Sequence, residues 1–131
     1  MYLIDTNVWL ERLLDQQRAE EVGRFLDRTP PEHLFITDFS FHSIGVILTR
    51  LKQPQALVRF VQDLFLEGAV GIVRLEPGDL VGLVGVMARF NLDFDDAYQY
   101  LAAEKNHLIL VSLDQDFDGT PLGRKAPGEL I

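Results

Sequence analysis

Six of the twelve aspartates, Asp93, Asp95, Asp96, Asp114, Asp116 and Asp118, fall between residues 93 and 118, whereas the glutamates are spread along the chain. Carboxylates held in one pocket repel by about 4 kcal/mol per pair at 4 Å in an effective dielectric of 20, so they persist only if one is protonated or a cation lies among them. The chain has no cysteine, and His33, His42 and His107 share no metal-ligand spacing. Ligation would therefore be by oxygen alone, which favours a hard divalent ion, Mg2+ or Mn2+, over zinc.

The elements that must position these acids follow from apolar runs and their punctuation. Tyr2-Leu3-Ile4 is a short strand ending at Asp5-Thr6-Asn7, and a helical pattern runs from Val8 to Leu14. A surface helix over 18–26 stops at Pro30-Pro31. Leu34-Phe35-Ile36 is the second strand, with Thr37 and Asp38 as caps of an apolar helix over 39–51. A helix from Pro54 to Gly68, a strand over 70–75, helices over 77–90 and 93–105, and a strand over 108–111 complete the pattern, and the tail from Gly119 reads as irregular. Gly82 and Gly85 leave a small-residue notch, open to packing within the chain or against a second copy.

Four apolar strands that lack alternation, separated by helices, predict an α/β fold: a central parallel sheet of four or five strands flanked by helices, in one domain over residues 1–131. Ligand sites of such sheets lie beyond the carboxyl ends of the strands. Asp5 follows strand one, Asp38 strand two and Asp114 strand four, while Asp96 opens the helix that leads into strand four. The topology thus gathers Asp5, Asp96 and Asp114 at one sheet edge.

Composition narrows the function. With 47% hydrophobic residues in 131, the chain can fill one core, and no apolar run approaches the roughly 20 residues that cross a bilayer. The amino terminus carries no basic region ahead of an apolar stretch, which predicts a cytoplasmic protein. A net charge of -8 excludes broad electrostatic attraction to nucleic acid or anionic membrane. A phosphoreceiver fits poorly, because strand three ends in Leu75-Glu76-Pro77, and an aspartate-nucleophile phosphatase needs Asp-x-Asp where this chain has Asp5-Thr6-Asn7.

Leu3-Ile4-Asp5-Thr6-Asn7, Asp95-Asp96-Ala97 and Val111-Ser112-Leu113-Asp114-Gln115-Asp116-Phe117 resemble, in order and spacing, the three acidic motifs of a PIN domain, and the whole chain resembles a VapC-like toxin ribonuclease. The resemblance implies a three-layer sandwich and a Mg2+- or Mn2+-dependent endoribonuclease acting on RNA. It also implies a homodimer held in check by a small antitoxin. Asp5, Asp96 and Asp114 would then be the catalytic metal ligands with Asp116 beside them. Thr6, Asn7 and Ser112 would orient them, because a carboxylate fixed in one rotamer binds better than a free one. PIN domains commonly carry a glutamate early in the helix after strand two. Here Ser43, or His42 one residue earlier, fills that slot, and Asp38 is the nearest substitute acid. The absent acid supports an alternative: a degenerate PIN domain that binds RNA or a partner protein without cleavage.

Overall fold

Leu3 and Ile4 are both fully buried, yet they belong to separate apolar clusters, one on each face of the sheet. A strand covered on both faces has no solvent side to show alternation, which is why the runs read as continuously apolar. The computed structural model describes residues 1–131. Its strands are β1 (Tyr2–Ile4), β2 (Leu34–Thr37), β3 (Gly71–Val73) and β4 (Ile109–Val111), in the spatial order β3-β2-β1-β4 with every pairing parallel. Leu3 faces Phe35 on one side and Leu110 on the other. The predicted α/β class and parallel sheet are therefore observed.

Helices α1 (Thr6–Leu13), α2 (Ala19–Arg28), α3 (Asp38–Arg50) and α4 (Pro54–Val61) supply one layer, where Trp9, Phe25, Ile44 and Phe60 pack on Ile4 and Ile36. Helices α5 (Asp79–Phe90) and α6 (Phe94–Lys105) supply the other, with Leu83, Val86 and Tyr100 against Leu3 and Leu110. None of these helices is long and apolar enough to cross a membrane.

Several boundaries differ from the sequence reading for identifiable reasons. α1 begins at Thr6, two residues early, because the Asp5 carboxylate already accepts from the Thr6 amide. The helix expected to reach Gly68 leaves α-geometry at Gln62 and ends in a π-turn over Gln62–Leu66. β3 is only three residues long, although Val70 and Leu75 on either side are buried. The tail is less irregular than predicted. Lys125 bridges Val111 beside β4, its amide donating to the Leu110 carbonyl at 2.8 Å and its carbonyl accepting from the Ser112 amide at 3.0 Å, and a 3-10 turn over Pro127–Leu130 follows. The notch at Gly82 and Gly85 is exposed, with open space where side chains would stand, so it is not a seam between helices of this chain.

One buried hydroxyl ties the chain leaving β3 to the site edge. Tyr98 Oη donates to Asp38 Oδ1 at 2.7 Å and accepts from the buried Leu75 amide at 3.1 Å. Tyr98→Phe removes both bonds and leaves a buried N–H without a partner, a loss of about 1–3 kcal/mol. Urea denaturation should show a lower midpoint with an unchanged slope.

Candidate functional site

The site is built outward from the end of β1. Asp5 is only 5% exposed, and donors surround its carboxylate. Oδ1 accepts from the Thr6 amide and from Gln99 Nε2, both at 2.8 Å; Oδ2 accepts from Ser112 Oγ at 2.8 Å and, more distantly, from Asn7 Nδ2 at 3.5 Å. Burial nonetheless dominates and raises the Asp5 pKa; the bonds from Gln99, Ser112 and Thr6 oppose it, and the charge of Asp114 adds to it.

The supporting residues form one chain of bonds. Asn7 Oδ1 accepts from the Leu113 amide at 3.2 Å and its Nδ2 donates to Ser112 Oγ at 3.3 Å, while Ser112 Oγ also accepts from the Asp114 amide at 3.0 Å. The turn after β4 is thereby fastened to α1. Thr6 Oγ1 donates to Ser40 Oγ at 2.6 Å, which fastens α1 to α3.

Asp96, Asp114 and Asp116 each present a carboxylate oxygen within 4.8 Å of the others. Asp96 sits in the first turn of α6, which Asp93 caps by accepting from the Asp96 amide at 2.9 Å. Asp114 opens the 3-10 turn over Gln115–Phe117 and accepts from the Asp116 amide at 2.8 Å, so these two acids project from one turn. Asp5 is not a member of this closest set; it lines, with Asp96, a 280 Å³ pocket alongside. Sequence reasoning placed Asp116 beside Asp5, Asp96 and Asp114, whereas the geometry puts Asp116 in the tightest cluster and Asp5 at its buried edge.

Asp96 records the crowding. Partial burial and then the charges of Asp114, Asp93, Asp5 and Asp116 push its pKa up to about 7. The donor set fits a hard divalent cation: all oxygen, half exposed, anionic and mutually repelling. Oxygens on opposite sides of Mg2+ stand about 4 Å apart, from bonds of about 2.1 Å, so a cluster spanning at most 4.8 Å has the scale of one ion.

The remaining predicted residues divide between two places. Ser43 lines the pocket with Asp5 and Asp96, whereas His42 lines only the grooves beside it. Thr37, not Asp38, caps α3, its Oγ1 accepting from the Ser40 amide at 3.0 Å. Asp38 accepts from the Phe39 amide and from Tyr98, and it does not line the pocket with Asp5 and Asp96.

Sequence reasoning missed Gln99. It is 2% exposed, donates from Nε2 to Asp5 Oδ1 at 2.8 Å and to Ser40 Oγ at 2.6 Å, and accepts from Thr37 Oγ1 at 2.8 Å. The available signal was an amide three residues after Asp96 amid the apolar Ala97, Tyr98, Tyr100, Ala102 and Ala103. A buried polar group needs partners, and these partners are the site itself.

A family model of the PIN domain matches residues 2–121. The chain belongs to the PIN-domain family. No curated protein matches the sequence. Among solved structures, this PIN domain is similar to a toxin–antitoxin complex from Klebsiella pneumoniae (TM-score 0.77, 23% identity, 97% of this chain and 98% of that one). It is similar to VapC20 of Mycobacterium tuberculosis, described as a toxin that cleaves the sarcin–ricin loop (TM-score 0.77, 18% identity, 95% and 99%). It is also similar to FitAcB from Neisseria gonorrhoeae (TM-score 0.75, 20% identity, 97% and 98%). At these identities the likeness establishes the PIN fold.

The raised pKa of Asp96 has a sign that can be tested. Its folded value lies above the ordinary carboxylate value near 4, so the native state holds the proton more tightly. The stability this contributes is present below about 4 and is lost as pH rises through about 7. In metal-free buffer Asp96→Asn should therefore raise Tm at pH 8 and change it little at about pH 3.5, below the unfolded value. A lower Tm for the variant at pH 8 would show that repulsion does not govern the site.

Proposed function

We propose that this PIN domain is a Mg2+- or Mn2+-dependent endoribonuclease, the toxin of a toxin–antitoxin pair acting in the cytoplasm. The observation that carries the reading is the convergence of Asp96, Asp114 and Asp116 within 4.8 Å beside the buried Asp5, in a chain whose family is generally nucleolytic. Asp96, Asp114 and Asp116 would hold a divalent ion, with the buried Asp5 beside them, and the ion would supply activation of water and neutralisation of charge on the phosphate. Gln99, Ser112 and Asn7 lock the Asp5 rotamer, and Ser112 also fixes the turn that bears Asp114. The descriptions of the Klebsiella and Mycobacterium proteins support RNA as substrate and a small antitoxin as partner.

A second reading has its own observation. Ser43 lines the pocket where PIN domains commonly place a glutamate, so the site is one carboxylate short, as in a degenerate domain that binds RNA or a partner without cutting it.

A homodimer is part of the first reading. Leu80, Val81 and Val84 of α5 are exposed, Val81 at 80% and Val84 at 65%, and the neighbouring Gly82 and Gly85 leave room for close approach. A contiguous apolar helix face of this kind marks an interface on a soluble protein. Light scattering should give twice the monomer mass for the wild type and the monomer mass for Val84→Lys; a monomeric wild type at micromolar concentration would refute the pairing.

Single-stranded RNA should be hydrolysed in Mn2+, and Asp5→Asn or Asp96→Asn should abolish cleavage in folded protein. Ser43→Glu should tighten metal binding and raise cleavage by at least about tenfold, the scale at which even groups behind the ligands act. RNA binding without cleavage by the wild type, with cleavage gained in Ser43→Glu, would establish the degenerate reading. Cleavage unaltered by Asp96→Asn would rule out the aspartate site.

A further inference from the structure

The carboxylate pocket continues along α3. Phe39, Ser43 and Ile47 line it and also line an adjoining groove of 490 Å³ that extends past Asp38, His42 and Tyr98 to Arg50. Positions 39, 43, 47 and 50 are spaced by three and four residues, so they share one helix face. Phe39 to Arg50 spans about 16 Å at 1.5 Å per residue.

The two ends of this face differ in chemistry. Beside the carboxylates stand three rings: Phe39 and Tyr98 with centroids 5.4 Å apart, and Phe94 at 5.9 Å from Phe39 and 6.1 Å from Tyr98. Phe94 opens α6 two residues before Asp96 and is 42% exposed, a large ring left in water next to the site. At the far end, exposed Arg50 has no carboxylate within ion-pair distance in a chain of net charge -8. Aromatic rings offer a face to any base, and a lone guanidinium suits a phosphate; together they are the elements of a single-strand binding groove.

We propose that this groove receives the RNA segment next to the scissile phosphate, with a base stacked on the exposed Phe94 edge of the aromatic cluster and a neighbouring phosphate on Arg50. The inference rests on the nuclease reading and makes the substrate single-stranded, because bases paired in a duplex cannot be splayed onto a ring. The continuity of the groove with the carboxylate pocket argues for a polynucleotide here. A second copy of the chain is better matched by the apolar face of α5, which carries no cation in its Leu80–Val84 stretch.

The test measures binding apart from cleavage. Anisotropy of a short fluorescein-labelled single-stranded RNA is followed with the full chain in Ca2+, with a gel to verify intact RNA and a melting curve for each variant. Phe94→Ala should weaken binding about tenfold, the scale of one lost base stack. An abasic nucleotide at the stacked position should cost the wild type a similar factor and the variant little more, since both remove the same contact. Arg50→Gln, a change at an exposed position, should flatten the dependence of log affinity on log salt by about 0.7, one phosphate contact on a single strand. Duplex RNA should bind more weakly than either strand alone. Wild-type affinity in both variants would overturn the groove and leave the nuclease reading standing, whereas a wild type that binds no RNA would overturn both. Loss of RNA affinity in Phe94→Ala accompanied by dissociation of a dimer would assign Phe94 to a subunit contact and also overturn the proposal.

Discussion

Asp5 holds a carboxylate at the carboxyl end of the central strand with almost no exposed surface, and an ion so placed loses several kcal/mol of hydration unless donors replace the water. Three close donors, each worth about 1.5–3 kcal/mol when the acceptor is charged, come from three places: the Thr6 amide of α1, Gln99 of α6 and Ser112 after β4. These oppose desolvation, which nonetheless dominates, since the pKa is raised. The same bonds draw α1, α6 and the β4 turn to one point. Because Ser112 also accepts from the Asp114 amide and Gln99 also binds Ser40 and Thr37, satisfying Asp5 fixes the loop that bears Asp114 and the start of α3.

The other acids sit where the backbone tolerates them best. Asp96 lies in the first turn of α6 with Asp95, over the Asp93 cap, where the helix dipole favours negative charge by about 0.3–1 kcal/mol. That is small against partial burial and the repulsion of neighbouring carboxylates, which together raise the Asp96 pKa to about 7. The cluster is therefore poised rather than satisfied: a hydrogen-bonded frame holds it together although its members repel. Trp9 Nε1 is the one buried side-chain polar atom without a partner, and it lies in the α1–α4 layer, outside this network, so the site itself leaves no buried group unpaired.

Much of this frame is legible in the sequence because it depends on local pattern. Apolar runs ending in Asp5, Thr37-Asp38 and Ser112-Leu113-Asp114 mark the strand ends, and open α/β sheets put their sites there. Tertiary geometry decided the rest. Asp5, Asp96 and Asp114 read as equivalents in one dimension, yet β1 is a central strand, so its exit is covered on both sides and Asp5 is buried, while Asp116 gains entry to the cluster from an exposed turn. Gln99 shows in the sequence only as an amide in an apolar stretch, because its partners lie 59 to 94 residues away. Lys125 bridges β4 from a Gly/Pro-rich tail, where no propensity announces a strand.

Ser43 and the net charge of -8 bear on one question that the nuclease reading raises, how an acidic protein would engage an anionic polymer. Attraction by the whole surface is excluded, so affinity must come from local terms. At the pocket, a carboxylate in place of Ser43 would deepen repulsion among Asp5, Asp96 and Asp114 without metal and strengthen binding with it. On the nuclease reading, the serine would therefore relax the empty site at the expense of the loaded one. Along α3 the same economy recurs: Arg50 is a single cation, and the surface between it and the carboxylates mixes Phe39, Tyr98, Val46 and Ile47 with Asp38, His42 and Ser43 rather than presenting a basic row. Base stacking needs no cation, so on the nuclease reading a face of this composition would hold a polyanion on a protein whose net charge repels it.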